Sequence, residues 1–141
     1  MLFPPFNLFA LSDGDSDLGQ VVDYAPDLPF SGTAINRGWG ARNKPLVERF
    51  NRAVNKAIAW FNTDANRDKA IALLTDAMQG KGKSIAQTYD FFRKIRFFEP
   101  TGKVSRKKIA EALTMLRSTG DVQSSFDMNK LFLPGVTELA D

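Results

Sequence analysis

The stretch that decides the fold is residues 31–62, SGTAINRGWGARNKPLVERFNRAVNKAIAWFN. It opens with a short extended run at 32–36, reaches Trp39, and turns before Pro45. Glycine and proline separate regular elements, and proline is tolerated in the first turn of a helix. The pattern therefore predicts a strand, a turn and then a long helix from about residue 44 to residue 62.

The predicted long helix is amphipathic. Its apolar residues recur at the three- and four-residue spacing of one helical face. These residues are Phe50, Ala53, Val54, Ala57, Ile58 and Phe61. Polar and charged residues fill the other side, and Trp60 lies at the edge of the stripe. We expect the stripe to pack against a core.

Three further helices are predicted after it, each with a capping signal. The first follows Thr63 or Asp64 and ends at Gly80; the second follows Ser84; the third follows Ser105 and ends at Gly120. Glycine favours such ends because it adopts the left-handed conformation without steric cost.

The remaining elements are short. Pro4-Pro5 opens an N-terminal helix that ends at 12–14, and a last helical segment covers 127–133. The runs Gln20–Tyr24 and Gly32–Asn36 are predicted as two short strands. The predicted chain is therefore mostly helical with two short strands.

Composition excludes several kinds of site. The chain has 141 residues, about the size of one domain, and contains neither His nor Cys. Imidazole bases, thiolate nucleophiles, disulfides and zinc clusters built from these residues are therefore excluded. No stretch approaches the roughly 18–20 uncharged apolar residues of a membrane span. The apolar start, MLFPPFNLFALSDG, lacks the basic region and the cleavage site of a signal peptide.

Charge is unevenly distributed along the chain. Residues 1–36 contain five Asp and no base, whereas residues 81–108 contain nine basic residues against Asp90 and Glu99. Phe91-Phe92 and Phe97-Phe98 lie in that basic stretch, where aromatic rings are able to stack on nucleic-acid bases. A solvated helix face with aromatic residues in the core is the simpler interpretation, and nucleic-acid binding stays an alternative.

Three short motifs are incomplete. Residues 80–84, GKGKS, lack the spacing and the preceding strand of a phosphate-binding loop. The alternating aspartates at 13–17 resemble the start of a calcium loop, but Tyr24 occupies the position of its bidentate Glu. Ser105 to Lys108 fits S-x-x-K, for which a helix cap followed by exposed lysines is the simpler explanation. We predict no catalytic residue, no metal and no cofactor.

The order of these elements resembles the C-terminal region of ABC-transporter solute-binding proteins. The class is that of nitrate, sulfonate and taurine binders, which also includes thiamine-pyrimidine-precursor proteins. The similar segments, in chain order, are Pro4-Pro5-Phe6 with Gly14, Leu18–Tyr24, Gly32–Arg37 with Trp39, Lys44–Trp60 and Gly120-Asp121-Val122. The resemblance covers nearly the whole chain and depends on the order and spacing of these segments together.

The resemblance implies a partial periplasmic-binding-protein-like (type II) fold of the α/β class. It implies that residues 1–31 end the second lobe, that 32–43 form the return strand and hinge turn, and that 44–141 form the helical C-terminal part of the first lobe. Members of the family are longer than this chain, so a complete ligand cleft would need further parts of both lobes.

The resemblance also implies a set of ligand-binding positions. Pro5 and Phe6 match a segment that presents an aromatic side chain to the ligand, and Gly32 and Thr33 match the return strand at the hinge. Core packing stays an alternative for Phe6. Trp39 is expected to pack behind the hinge rather than on the ligand.

The function implied is that of the substrate-binding component of an ABC importer, which performs no chemistry. It would capture a small organic anion or a pyrimidine-like solute and deliver it to a permease. Two alternatives stay open: a basic helical adaptor for nucleic acid or protein, and a relative of thiamine-pyrimidine-precursor biosynthesis, whose sacrificed His is absent here.

Location and association complete these expectations. The family is periplasmic, whereas a chain without a signal peptide would be cytoplasmic if expressed as given. Unpaired strand edges and exposed apolar helix faces favour association between chains. We therefore expect the isolated chain to self-associate.

Overall fold

The computed structural model describes residues 2–29, 31–78 and 84–140, and 57% of the chain is helical. The α-helices in the described residues are α1 Phe6–Ser12, α2 Val21–Tyr24, α3 Arg37–Arg42, α4 Lys44–Phe61, α5 Arg67–Ala77, α6 Ile85–Lys94 and α7 Arg106–Ser118. Short 3-10 helices cover Asp64–Asn66 and Met128–Leu131. The prediction that the chain is mostly helical is confirmed.

The chain divides into two compact units. The first contains Met1–Leu18 and Ala53–Thr101, and the second contains Gly19–Arg52 and Gly102–Asp141. The residues of α4 are shared between them, with the break after Arg52. These units are groups of neighbouring residues and do not test the assignment of 1–31, 32–43 and 44–141 to parts of two lobes, which stays a prediction.

The core of the first unit forms where α5 packs against α6. Ala70 of α5 and Ile85 and Tyr89 of α6 are buried. The Tyr89 hydroxyl donates a 2.8 Å hydrogen bond to the Phe61 carbonyl, which satisfies a polar group that would otherwise be costly to bury. The end of α4 is thereby joined to α6.

The core of the second unit lies between α7 and the C-terminal segment. Val47, Leu113, Phe132 and Val136 are buried there. Backbone hydrogen bonds join Val104 to the C-terminal segment: its N–H donates to Glu138 and its carbonyl accepts from Ala140. The resulting Val104–Leu139 bridge is the only β-pairing among the described residues.

Both predicted strands are wrong. Residues 21–24 form the short helix α2, because the side chain of Gln20 and that of Asp23 cap each other's backbone N–H in a capping box. Residues 31–36 are irregular. An extended segment is stable only when a neighbouring strand accepts its hydrogen bonds, and the described residues provide none here.

The predicted helix boundaries are mostly confirmed. The long helix begins at Lys44 and ends at Phe61, one residue before its predicted end. Ser105 caps α7, since its side chain accepts a hydrogen bond from the Lys108 N–H. The predicted cap bonds of Thr63 and Ser84 are absent, although each residue precedes a helical element. The predicted stop at Gly80 and most of the GKGKS motif lie outside the described residues.

Two helices end in the same way, with different residues. After α6, the Phe97 N–H donates to the Phe92 carbonyl and the Arg96 N–H donates to the Arg93 carbonyl. After α7, the Asp121 and Gly120 N–H groups donate in the same way to the carbonyls of Leu116 and Arg117. This is the Schellman motif, which needs a left-handed residue just beyond the helix. Gly120 occupies that position at φ 82°, whereas Arg96 occupies it at φ 50°. The Phe92 and Phe97 rings supply the accompanying apolar contact, stacked 4.4 Å apart.

These two positions should respond in opposite directions to substitution. Arg96→Gly should raise the free energy of unfolding by roughly 0.5–1 kcal/mol, because glycine adopts the left-handed conformation without a Cβ clash. Gly120→Ala should lower it by about 1 kcal/mol for the converse reason. Urea unfolding of both variants measures the two changes, and a loss of stability in Arg96→Gly would contradict this account of the α6 end.

Candidate functional site

Pro5 and Phe6 stand where the first helix begins. Pro5 is buried and is the residue before α1, whereas Phe6 is the first residue of the helix and is 61% exposed. The Phe6 ring meets Phe9 edge to face at 6.2 Å. Phe6 is therefore a surface aromatic held by one intrahelical ring contact, and the core alternative for it is not supported.

Gly32 and Thr33 lie in the irregular segment before α3, and both are exposed. A Cβ added to Gly32 would meet no atom within 4 Å. Nothing within the described chain therefore requires glycine at this position. A requirement for glycine would come from a group outside the described residues that approaches the backbone closely.

Each compact unit contains two of the four predicted site residues. Pro5 and Phe6 belong to the first compact unit, whereas Gly32 and Thr33 belong to the second. Each pair consists of chain neighbours, so its members lie together. No described pocket among the best-formed ones includes any of the four residues.

The segment after Thr33 is fixed by contacts that the sequence patterns did not predict. Asn36 caps α3, with its side chain accepting a 2.9 Å hydrogen bond from the Trp39 N–H. The Arg37 guanidinium donates to the carbonyls of Lys130 and Phe132, the latter at 2.9 Å. Arg37 therefore holds the start of α3 on the C-terminal segment. Both bonds come from Nη2, which carries two N–H groups and is therefore able to donate to two carbonyls at once.

Gly40 is tightly packed. A Cβ there would lie 2.6 Å from Ile35 Cδ1 and 2.9 Å from Leu133 Cδ2. The glycine thus lets α3 approach the two apolar side chains closely. Trp39, next to it, is 41% exposed, so its predicted packing behind a hinge is only partial in this structure.

The helix α4 carries apolar residues on two neighbouring faces. One face meets the interior: Val47 is buried, and Val54, Ile58 and Phe61 are half-buried. The other consists of exposed residues spaced three or four apart, and we call it the open face of α4. Its members are Leu46, Phe50, Ala53, Ala57 and Trp60. Leu46 is 51% exposed, Phe50 49% and Trp60 37%.

The predicted inward stripe of this helix is therefore wrong at Phe50, Ala53 and Ala57. The apolar residues cover a wider arc of the helix than one packed face requires, and the rest of the described chain covers only the side on which Val47 lies. The uncovered part is contiguous along the helix. A continuous apolar surface of this kind is typical of an interaction site.

A basic edge accompanies the open face. Arg49 and Lys56 border it on the side away from Val47, and Arg52 lies further round the helix. All three side chains are exposed, and none of them forms an ion pair with another described residue. The open face is thus an apolar strip with positive charge along one edge.

A shallow groove in the first unit continues the exposed apolar surface at Trp60. It has a volume of about 480 Å³ and is lined by Trp60, Lys69, Ala72, Leu73 and Asp76. The side chains of Lys69 and Asp76 carry opposite charges, so the lining of the groove favours neither anionic nor cationic ligands. Its shape and lining are those of an apolar contact surface rather than of an enclosed ligand pocket.

The basic stretch at 81–108 does not form a continuous positive surface in the described residues. Arg93 pairs with Asp64, and Lys107 lies 3.8 Å from Asp27 and 3.9 Å from Glu111. The Arg106 guanidinium lies 4.8 Å from the centre of the Phe132 ring and donates to Asn129. These cations are used inside the units. Lys81 and Lys83 lie outside the described residues.

The aromatic residues of that stretch pack on one another. Phe92 contacts Phe97 and Phe98, and Phe98 contacts Phe61 with ring centres 5.4 Å apart. All four rings are half-buried. They form part of the first unit's core and do not present flat faces for stacking on bases.

One carboxylate in the first unit has a shifted pKa. Two hydrogen bonds from the Arg67 guanidinium, at 3.0 and 2.7 Å, hold the pKa of Asp90 below its ordinary value, because they stabilise the charged form. The same pairing raises the pKa of Arg67. The pair joins α5 to α6 at the surface and is therefore a structural contact.

The described residues contain no group of three or more acidic side chains placed to hold a metal ion. Within the same residues, no helix has both the length and the apolar character needed to cross a bilayer. No protein-family model, curated protein or solved structure matches this chain.

Gly40→Ala should lower the free energy of unfolding by about 1 kcal/mol. The added methyl group overlaps Ile35 and Leu133, a cost of roughly 1–3 kcal/mol that outweighs the helix propensity gained with alanine. Gly38→Ala is the matched control, since its nearest neighbours would lie at 3.4 and 3.5 Å, and its stability should be unchanged or higher. The double variant Ile35→Val/Gly40→Ala should regain part of the loss in denaturant unfolding. Equal effects of the two alanines would contradict tight packing at Gly40.

The Arg67–Asp90 pair should make stability fall at acidic pH. Because the pKa of Asp90 is lower in the folded state, its contribution is complete above the unfolded value, about 3.9, and is lost as pH falls through the folded value. Asp90→Asn should remove this part of the pH dependence of unfolding, whereas Asp76→Asn controls for loss of one negative charge. Carboxyl-carbon NMR reads the pKa directly, and an ordinary value for Asp90 would contradict the pairing.

Proposed function

We propose that this chain is the C-terminal part of a solute-binding protein of an ABC importer, of the nitrate, sulfonate and taurine class. In this proposal the whole protein has the periplasmic-binding-protein-like fold, captures a small organic anion or a pyrimidine-like solute, and delivers it to a permease. The chain performs no chemistry. The proposal starts from the order of the segments in the sequence.

The observation that carries the proposal is the open face of α4. A helix that buries one apolar face in its own chain and exposes a second one lacks a packing layer. In a two-lobed protein, the sheet of the first lobe would be that layer. The exposed aromatic and aliphatic side chains of the face, Leu46, Phe50 and Trp60, would then become core residues.

The same proposal accounts for the irregular segment at 31–36. This segment has the sequence of a strand but no partner strand among the described residues. A neighbouring strand from the rest of a lobe would supply its hydrogen-bonding partners. The clamp formed by Arg37 would hold the end of that strand in a fixed position relative to the C-terminal segment.

The proposed ligand-binding positions are Pro5, Phe6, Gly32 and Thr33, of which Pro5 is buried and the other three are exposed. Phe6 offers an exposed ring for apolar or stacking contact, and Thr33 offers an exposed hydroxyl. Gly32 leaves its backbone open to close approach. A site of this kind combines a few polar groups with apolar walls and needs both lobes to enclose the solute.

The alternative functions receive less support from the described residues. A nucleic-acid adaptor needs a continuous basic surface with accessible aromatic rings, whereas Arg93, Arg106 and the stacked rings of Phe92 and Phe97 make contacts within the units. A role in thiamine-pyrimidine biosynthesis needs the histidine that this chain lacks. A binding role needs neither feature.

Ligand binding should require the polypeptide encoded directly upstream. Thermal-shift assays of the chain alone with nitrate, taurine, an alkanesulfonate and a hydroxymethylpyrimidine should show no saturable response, because the cleft is incomplete. The chain co-expressed with the upstream polypeptide should respond to one of them, since a ligand that binds only the folded state raises its stability.

Site variants sharpen this test. Phe6→Ala should weaken binding by roughly tenfold, the loss of about one aromatic contact, while Leu11→Ala on the same helix should have little effect. Tight binding by the isolated chain, or an upstream region that encodes no part of a lobe, would contradict the proposal.

A further inference from the structure

We infer that, in a solution of this chain alone, the exposed face of α5 binds the same face of a second copy as an antiparallel helix pair. The face consists of Lys69, Ala72, Leu73 and Asp76, and we call it the α5 face. These residues and Trp60 all belong to the first compact unit, so the contact involves that unit alone. The inference does not rest on the proposed transport role.

The middle of the α5 face is apolar and open to water. Ala70 of the same helix is 2% exposed and belongs to the core, whereas Leu73 is 61% exposed. Trp60 is 37% exposed and lines the shallow groove together with the four residues of the face. Burial of apolar surface is the main driving force of protein association, so a partner that covers this groove is stabilised by it.

The two ends of the α5 face carry opposite charges. Lys69 and Asp76 lie two helical turns apart, about 10 Å along the axis, and Ala72 and Leu73 lie between them. Neither charged side chain forms an ion pair with another described residue. A complementary partner therefore offers an acidic group at one end and a basic group at the other. A second α5 that runs in the opposite direction offers both.

One antiparallel register satisfies the whole face. When Lys69 lies opposite Asp76 of the second copy, Ala72 lies opposite its Leu73, because both pairs are centred on the point midway between residues 72 and 73. The same holds in reverse, so each contact is made twice. The small side chain of Ala72 leaves room beside Trp60 for the larger leucine of the second copy.

Other arrangements of the two helices bring like charges together. A parallel pair in register sets Lys69 against Lys69 and Asp76 against Asp76. An antiparallel pair centred on either of these residues also sets that residue against itself. Like charges in such positions are unfavourable, so the charge pattern selects one direction and one register.

The contact closes on itself because both copies use the same surface. A self-complementary contact of this kind has two-fold symmetry and gives a dimer rather than an open chain. The α5 face is only about two helical turns long, which is short for a stable interface. The inference therefore specifies a weak dimer, and salt should weaken it further because its ion pairs lie at the surface.

A charge-exchange experiment tests the inference on the full 141-residue chain. Sedimentation equilibrium from about 10 to about 500 μM, a range in which weak dimers dissociate, is run on Lys69→Glu, on Asp76→Lys and on their mixture. Each variant alone sets like charges together twice and should dimerise at least about tenfold more weakly than the unmodified chain. The mixture should recover dimers, because both contacts of the mixed pair again join opposite charges.

Controls separate this contact from general effects of charge and exposed apolar surface. Lys94→Glu and Asp13→Lys make the same changes in net charge at exposed positions outside the groove and should leave dimerisation unchanged. Leu73→Ala should weaken the dimer at least about tenfold, since each copy loses a buried leucine, whereas Met115→Ala, at an exposed position of α7, should not. Circular dichroism of each variant confirms that it is folded.

Cross-linking reads the register directly. A mixture of ¹⁴N- and ¹⁵N-labelled chains is treated with a carbodiimide, which joins a carboxylate to an amine that it touches. Mass spectrometry should find Lys69 of one isotope joined to Asp76 of the other. The Lys69→Glu chain should lose this product.

Three outcomes would overturn the inference. A monomer at all these concentrations would leave the α5 face unoccupied by a second copy. Dimers that are insensitive to the charge reversals, or that fail to re-form in the mixture, would place the contact elsewhere. Flotation of a monomeric chain with phosphatidylcholine vesicles, abolished by Leu73→Ala, would assign the α5 face to a lipid surface instead.

Discussion

Apolar surface on α4 faces two directions, and the described residues of this chain cover only one of them. The covered side, around Val47 and Ile58, ties the helix to the interior. The uncovered side leaves Leu46, Phe50 and Trp60 in contact with water, at a cost of about 25 cal/mol for each Å². This unsatisfied face is the physical basis for the larger-protein proposal, because the rest of such a protein would supply the missing layer.

Electrostatic interactions have two different roles in this molecule. Inside each unit, cations are matched locally: Arg67 holds Asp90, Arg93 holds Asp64, and Arg106 lies over Phe132. These contacts hold elements of each unit together. The cations beside the open face of α4 are different, since Arg49 and Lys56 are exposed and have no described counterion. Positive charge is therefore available for recognition beside the apolar strip.

The sequence predicted those features that depend on local interactions. The bounds of α4, the Ser105 cap and the glycine that ends α7 follow from periodicity and capping, which act within a few residues. The two strands were predicted wrongly because strand formation depends on a distant partner, which a local pattern of β-branched residues does not reveal. Gln20 and Asp23, spaced as a capping box, were the local signal for a helical turn.

The candidate site was predicted less completely. The exposure of Phe6 and of Gly32 agrees with a role in binding, but the sequence alone assigned them through resemblance. The hydrogen bonds from Arg37 to the carbonyls of the C-terminal segment were not predicted, because every residue has a backbone carbonyl and the sequence does not show which ones accept. The split of α4 into a covered and an open face was also missed. Periodicity identifies the apolar positions of a helix but does not show whether other parts of the chain pack against them.

The Arg37 clamp has a consequence for biosynthesis. Its hydrogen bonds join residues 93 and 95 positions apart, so closing the second unit carries the entropy cost of a long loop. The residues of the first unit end at Thr101, whereas those of the second extend to the C-terminus. On the ribosome, α5 and α6 therefore emerge and pack before the carbonyls that Arg37 needs have been synthesised. Until Lys130 and Phe132 have been synthesised, α3 lacks this anchor, and the segment around Arg37 is open to proteases and chaperones.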